Sequence, residues 1–165
     1  MTSIIFQTKK SFNLYIRKKK LFLFSNSVKY AIKAVLYLGV NSSEKQRIRA
    51  KVISEATDIP EAYASKLLQE LSRHDVVSSA KGPHGGFYLT DKNRNTPLFK
   101  IVSLIDGEHR LTSCVLSLQK CDDSHPCPLH EMVGQTKADF LKSIQHTTVG
   151  QLIADVKEGK SYLPL

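Results

Sequence analysis

Four side chains in one stretch of this sequence have types that could act together in binding a metal: Cys114, Cys121, Cys127 and His130. They read Cys-(six)-Cys-(five)-Cys-Pro-Leu-His, and all three cysteines of the chain fall within 14 residues, beside Asp122, Asp123 and His125. Cysteines that serve only as small apolar fillers are usually buried in helices and strands. Here they crowd a polar stretch, and their thiolates are soft ligands for a metal. Three is an odd count and too few for a disulfide scaffold, so a reducing cytoplasm is expected. Two metal chemistries compete. Three cysteines and a histidine make a closed tetrahedral zinc site, and three thiolates with one distinctive fourth ligand suit an iron–sulfur cluster. Zinc knuckles keep about two to four residues between paired cysteines. That tight spacing is absent, which favours iron–sulfur with zinc as the alternative. A nucleophilic Cys–His pair is the third reading, and nothing in the sequence suggests a substrate for it, so the chain is read as no enzyme.

A second set of residues suggests contact with phosphate. Lys81-Gly82-Pro83-His84-Gly85-Gly86 is a turn cluster with a lysine and a histidine, and its three glycines allow close backbone approach to an anion. It lacks the Gly-Lys-Ser/Thr ending of a nucleotide-binding loop, and strand-like runs flank it, Val76–Ala80 before and Phe87–Leu89 after. A hairpin is the expected result.

The elements that must hold these groups follow from periodicity. Val28, Ala31, Ile32, Val35 and Leu36 recur at helical spacing behind possible caps at Ser25 and Ser27, with Gly39 and Asn41 as stops. Ala50, Val52, Ile53 and Ala56 suit a two-turn helix, and Asp58-Ile59-Pro60 reads as a turn. From Glu61 to His74 a third helix turns Ala64, Leu67, Leu68 and Leu71 inward and leaves Tyr63, Ser65, Lys66 and Gln69 outward. Short helix, tight turn, longer helix and hairpin make a winged helix-turn-helix. Thr96-Pro97 announces a further helix with Leu98, Ile101, Val102 and Ile105 on its apolar face, and Gly107 ends it. Periodicity is absent from Glu108 to Cys127, a length of loop usually reserved for function. Pro128 opens a long amphipathic helix whose stripe (Leu129, Met132, Val133, Thr136, Phe140, Ile144) has no obvious cover within the chain, so a second copy is the expected partner. Val149, Leu152, Ile153 and Val156 form a short closing helix.

Charge narrows the partner. The chain has 165 residues and a net charge of +9, from 24 basic and 15 acidic side chains. Residues 1–20 contain Lys9, Lys10, Arg17, Lys18, Lys19 and Lys20 and no acid, which leaves the remainder with 18 basic and 15 acidic groups, or +3. The leader is expected to be a flexible extension that adds general attraction to polyanions. Its apolar run Leu21–Phe24 is too short for a secretory signal, and no apolar run exceeds five residues, so no membrane span is expected.

Ser27–Leu38 (SVKYAIKAVLYL), Val77–Leu89 (VSSAKGPHGGFYL) and the CxxxxxxCxxxxxCPLH segment together resemble the Rrf-two family of bacterial regulators, which has IscR-like, NsrR-like and CymR-like branches. The similarity covers about residues 22–156. It implies a mainly α fold with a small β-wing and a homodimeric repressor or activator on double-stranded DNA with a near-palindromic operator. It also implies a cluster on Cys114, Cys121 and Cys127, with His130 where the IscR-like branch has its histidine ligand; [2Fe-2S] is favoured over [4Fe-4S]. Such a regulator senses redox, iron–sulfur or nitrosative status. The alternative is a cluster-free or zinc-stabilised regulator controlled by a protein partner or small metabolite. By the same resemblance Tyr63, Ser65, Lys66, Gln69, Lys81 and His84 face DNA. Ser65 replaces a base-reading glutamate, Lys81 replaces an arginine at the wing base, and Lys29 replaces the carboxylate ligand of the NsrR-like branch. The first cysteine gap is six residues where five is commoner. The expected organisation is an extension at 1–21, a DNA-binding region at 22–95, a linking helix at 96–107, a cluster loop at 108–130, dimerisation and C-terminal helices at 128–156, and a tail at 157–165.

Overall fold

The structure is a computed structural model that describes residues 24–116, 119–120 and 122–165. The leader at 1–21 and Cys121 therefore lie outside the described residues.

Helix α1 (Asn26–Asn41) is the central post. Ser25 caps it, its hydroxyl accepting the Val28 N–H at 3.1 Å. Val28, Ala31, Ala34, Val35 and Leu38 are wholly buried, because they stand on one helical face that α2 (Ala50–Thr57), α3 (Glu61–Arg73), α5 (Leu98–Asp106) and α8 (Val149–Lys157) cover. The helix runs through Gly39, which is buried against Ile153 of α8 and is no stop. Its small size makes room for α8, a packing role that local stop signals do not reveal.

Between α2 and α3 the chain turns through Asp58, whose φ of 54° is left-handed, and Pro60 then sets the start of α3. Strands β1 (Ser78–Ala80) and β2 (Gly86–Tyr88) pair antiparallel, with Ser79 opposite Phe87. They are shorter than the expected runs, since Val76, Val77 and Leu89 leave the ladder to fill the core. A one-turn helix α4 (Asp91–Arg94) follows, capped by a reciprocal Thr90–Asn93 box.

Thr96 does not cap α5. It is buried, its carbonyl accepts the Val149 N–H at 2.9 Å, and Pro97 occupies the cap position. The two connections bracketing α5 and α8 thus zip together, which overrides the local cap signal. Beyond Gly107 another single turn, α6 (His109–Thr112), interrupts the stretch expected to be loop; four residues are too few to display a period.

Helix α7 (His130–His146) begins two residues after Pro128. Its C-terminal half joins a second core of Val28, Val102, Leu111 and Ile144, flanked by Phe24, Phe99, Phe140 and Leu141. The ring centroids of Phe24 and Phe140 lie 5.7 Å apart. Its N-terminal half leaves Met132 71 % exposed, so part of the expected stripe is covered within the chain and part is open. No helix among the described residues is long and apolar enough to cross a membrane.

Candidate nucleic-acid interface and cysteine loop

Helix α3 divides cleanly along its length. Ala64, Leu67, Leu68 and Leu71 anchor it in the core, while Lys66 and Gln69 are exposed and Ser65 is half-buried on the opposite side. Tyr63 is 37 % exposed and already engaged: its hydroxyl donates to Ser27 Oγ at 2.7 Å, and its ring meets Tyr30 edge-on at 5.9 Å. It therefore orients α3 against the first turn of α1, a role that spacing alone does not show. Ser72 and Ser79 hydroxyls, 2.8 Å apart, tie the end of α3 to the wing.

The wing places Lys81 and His84 in solvent at its tip. Gly82 (φ 99°) makes the turn, and Gly85 N–H donates to Gly82 O at 2.9 Å. A Cβ on Gly86 would sit 2.8 Å from Ile48 O, so glycine is what allows the extended segment around Ile48 to approach. Ile48 and Phe87 exchange both backbone bonds, at 2.9 and 2.8 Å. That bridge brings Arg47 and Arg49 to the wing, two residues that sequence reasoning leaves in a charged linker. Arg47 lies over the Tyr88 ring at 5.5 Å, and Arg49 Nη2 donates to Pro83 O at 2.6 Å. Asn93 is the other residue that sequence reasoning misses. Only 2 % exposed, it gathers Ser78 Oγ, Thr90 N–H and Thr90 Oγ on its Oδ1 and donates to Asp75 O, pinning the wing base. Its one signal is its position three residues after the capping Thr90.

The cysteine loop is held at its start. Ser113 pairs with Lys120, Cys114 N–H donates to Gln119 O at 2.7 Å, and Lys137 of α7 donates to Ser113 O. Cys114 and Cys127 are partly buried. His130 N–H donates to Cys127 O at 2.9 Å, while its ring Nε2 lies 3.2 Å from Asp123 Oδ1. Two further acids face this region. Asp122 accepts the Ser124 N–H, and that bond, with His125 beside it, holds its carboxyl below the usual range. Glu131 shares with His130 and Asp123 an open cleft of about 640 Å³ between α6 and α7, which Leu111, Gly134, Lys137 and Leu141 also line.

The donor types, thiolates with an imidazole, fit a cluster or a zinc ion. Among the described residues, however, no group of three His, Cys, Asp or Glu side chains is gathered closely enough to hold an ion. Ligation by His130 Nε2 would require it to leave Asp123.

A partly buried link joins the turn before this loop to the winged head. Asp106, at the end of α5 and 8 % exposed, accepts from Ser25 Oγ at 2.6 Å and Ser25 N–H at 3.3 Å, and pairs with Arg110 Nε of α6 at 3.1 Å. Ser25 caps α1, and Ser27 in the first turn holds Tyr63 of α3.

Residues 24–155 match a family model described as Rrf2, iron-dependent transcriptional regulator. A chain of Aquifex aeolicus named as an HTH-type transcriptional regulator is 30 % identical over 133 residues, covering 79 % of this chain and 91 % of that one. The regulator IscR of Klebsiella pneumoniae is 26 % identical over 125 residues, 76 % of each chain. Among solved structures, CymR, the global cysteine regulator of B. subtilis, superposes with a TM-score of 0.64 at 18 % identity over 79 % of this chain and 95 % of its own. T. potens IscR gives 0.62, also at 18 %, over 89 % and 95 %. At that identity the likeness is one of fold.

Proposed function

The chain belongs to the Rrf2 family of transcriptional regulators, and from that premise we propose that it is a DNA-binding switch set by its cysteine loop. Membership makes it a regulator of transcription and no enzyme. The finer reading concerns what sets the switch and how the head answers.

Cys114, Cys121 and Cys127 would hold an iron–sulfur cluster, [2Fe-2S] in preference to [4Fe-4S], with His130 as fourth ligand. When bound, such a group supplies a charge and ligation state that oxidants, iron supply or nitric oxide can change. The chain's own residues do the rest. Ligation through Nε2 exchanges Asp123 for the new partner, and Asp123 is 93 % exposed, so water readily takes its place; ligation through Nδ1 keeps Asp123 as the orienting carboxylate. The observation that carries the reading is the Arg110–Asp106–Ser25 link, whose central carboxylate is buried, because a shift of α6 that follows rearrangement of the loop reaches the cap of α1 and, through Ser27, Tyr63. A two-state element biased by the loop is what a ligand-controlled switch requires.

On DNA, Ser65, Lys66 and Gln69 of α3 face the major groove, Tyr63 steadies that helix, and Lys81 and His84 meet the backbone from the wing. The exposed start of α7 supports a homodimer, which sets two recognition helices on a near-palindromic operator. The protein acts in the cytoplasm, where thiols stay reduced.

Anaerobic purification tests the sensor. The expected product is brown, absorbs in the visible and contains iron and sulfide. Colourless protein with stoichiometric zinc would sink the cluster and leave the zinc-stabilised regulator. A Cys114→Ala, Cys121→Ala, Cys127→Ala triple variant that binds and releases DNA as the parent does would remove the sensing role altogether.

A further inference from the structure

The extended segment Arg47–Ile48–Arg49, bridged to the wing at Ile48, alternates in a simple way. Ile48 is buried and bridged to Phe87, and period-two geometry sends Arg47 and Arg49 to the other side together. Both turn to the wing, Arg47 onto Tyr88 and Arg49 onto the Pro83 carbonyl at the tip. Neither placement serves the local helix. Arg49 occupies the N-cap of α2, where Ser, Thr, Asp or Asn is preferred, and makes no capping bond there. It also sets a cation at the positive end of the helix, beside Lys51 and with no acid in the first turn. Helix capping alone would select a different residue at this position.

A guanidinium carries five N–H donors in a planar fork, and the Pro83 bond uses only one. The exposed remainder suits a phosphate oxygen while the wing stays attached. Arg47 has the same capacity, having committed Nε to Glu44 O at 3.1 Å and its face to Tyr88. We propose that Arg47 and Arg49 form a second, sequence-independent DNA-contact edge, in which Arg49 holds the wing tip and grips a backbone phosphate at once. The proposal rests on DNA binding by the winged head and names the residues that set the wing's angle. It places phosphate contacts on the segment bridged to the wing, outside both the recognition helix and the Lys81–His84 tip.

Arg49→Ser separates this role from a structural one. Serine supplies the missing cap and gives up the exposed Pro83 bond, two effects of similar size, so thermal stability should stay within roughly 2–4 °C of wild type. Binding should nevertheless weaken roughly tenfold on operator and random duplex alike, and the slope of log K against log salt should fall by about one per protomer. Arg49→Lys should recover the salt slope and only part of the affinity, because an ammonium serves one partner at a time. If Arg49→Ser does not fold, Arg47→Ser reads the same edge from the neighbouring position. Unchanged affinity and salt slope in the Ser variants, with wild type binding normally, would overturn the edge. Failure of the wild-type protein to bind any duplex would instead overturn the DNA reading on which it rests.

Discussion

Removing the Asp106 carboxylate is the sharpest perturbation of the link between loop and head. Asp106→Ala takes the acceptor from Ser25 Oγ at 2.6 Å and from Ser25 N–H at 3.3 Å, and takes the partner from Arg110 Nε at 3.1 Å. The hydroxyl bond is short and charge-assisted, and such bonds contribute roughly 1.5–3 kcal/mol. The N–H contact lies at the edge of hydrogen-bonding range and adds little. Arg110 is 45 % exposed, so after solvent screening its pair adds under about 1 kcal/mol. The expected loss is about 2–3 kcal/mol, which for a chain of this size lowers Tm by roughly 4–12 °C. Asp106→Asn keeps an acceptor for the Ser25 hydroxyl and should lose only about 1 kcal/mol, and Arg110→Ala less than that. Chemical denaturation of the three variants gives the order. Hydrogen exchange gives the location: Ser25 Oγ also accepts from Val28 N–H, so the first turn of α1 should exchange faster in Asp106→Ala, while the amides of Leu68 and Leu71 should not. An Asp106→Ala variant within roughly 0.5 kcal/mol of wild type, the spread of inert surface changes, would refute the reasoning. So would faster exchange spread evenly over the fold.

Two further substitutions probe the supports of the head. Asn93→Ala strands Ser78, Thr90 and the Asp75 carbonyl at the base of the wing, and should lower stability by about 2–3 kcal/mol in denaturant titration; retention of wild-type stability would show that water replaces all four bonds. Gly39→Ala would place a Cβ 2.0 Å from Ile153 Cδ1, and overpacking of roughly 1–3 kcal/mol should outweigh the gain of about 1 kcal/mol from removing a helical glycine. In an Ile153→Val background the same change should be milder by more than about 0.5 kcal/mol, and strict additivity in the double-mutant cycle would disprove the contact.

The head is legible because its determinants are local or periodic. The inward leucines of α3, the Ser25 cap, the Asp58–Pro60 turn and the Gly82–Gly86 hairpin each announce themselves over a few residues, and the structure confirms them as elements of a winged helix-turn-helix. The outward placement of Ser65, Lys66 and Gln69 on α3 follows for the same reason. The features that escape depend on residues distant in sequence. Gly39 reads as a helix stop until Ile153, far along the chain, fills the space beside it. Thr96 reads as a cap until Val149 takes its carbonyl. Arg47 and Arg49 read as linker charges until Gly86 admits their segment to the wing. Single-turn helices such as α4 and α6 carry too few residues to show any period.

The cysteine loop differs from these in kind. Its donor set is plain in the sequence, yet its described part depends on bonds within a few residues, such as Asp122 with Ser124 and His130 with Cys127, and on one lysine from α7. The second core ends at Leu111. Beyond it, Val115, Leu116 and Met132 expose 53, 59 and 71 % of their surface, so among the described residues these apolar groups near the candidate ligands are left open. An element with so little internal burial has a low free energy of local opening. On the proposed reading, a cluster on the thiolates or a second copy over α7 supplies its arrangement. The head, by contrast, is fixed by a continuous buried core and the Asn93 pin. On the proposed reading this asymmetry is what a switch requires: the weakly held part takes a second arrangement for little free energy, and Asp106, bonded to the cap of α1, passes the difference toward Ser27 and Tyr63.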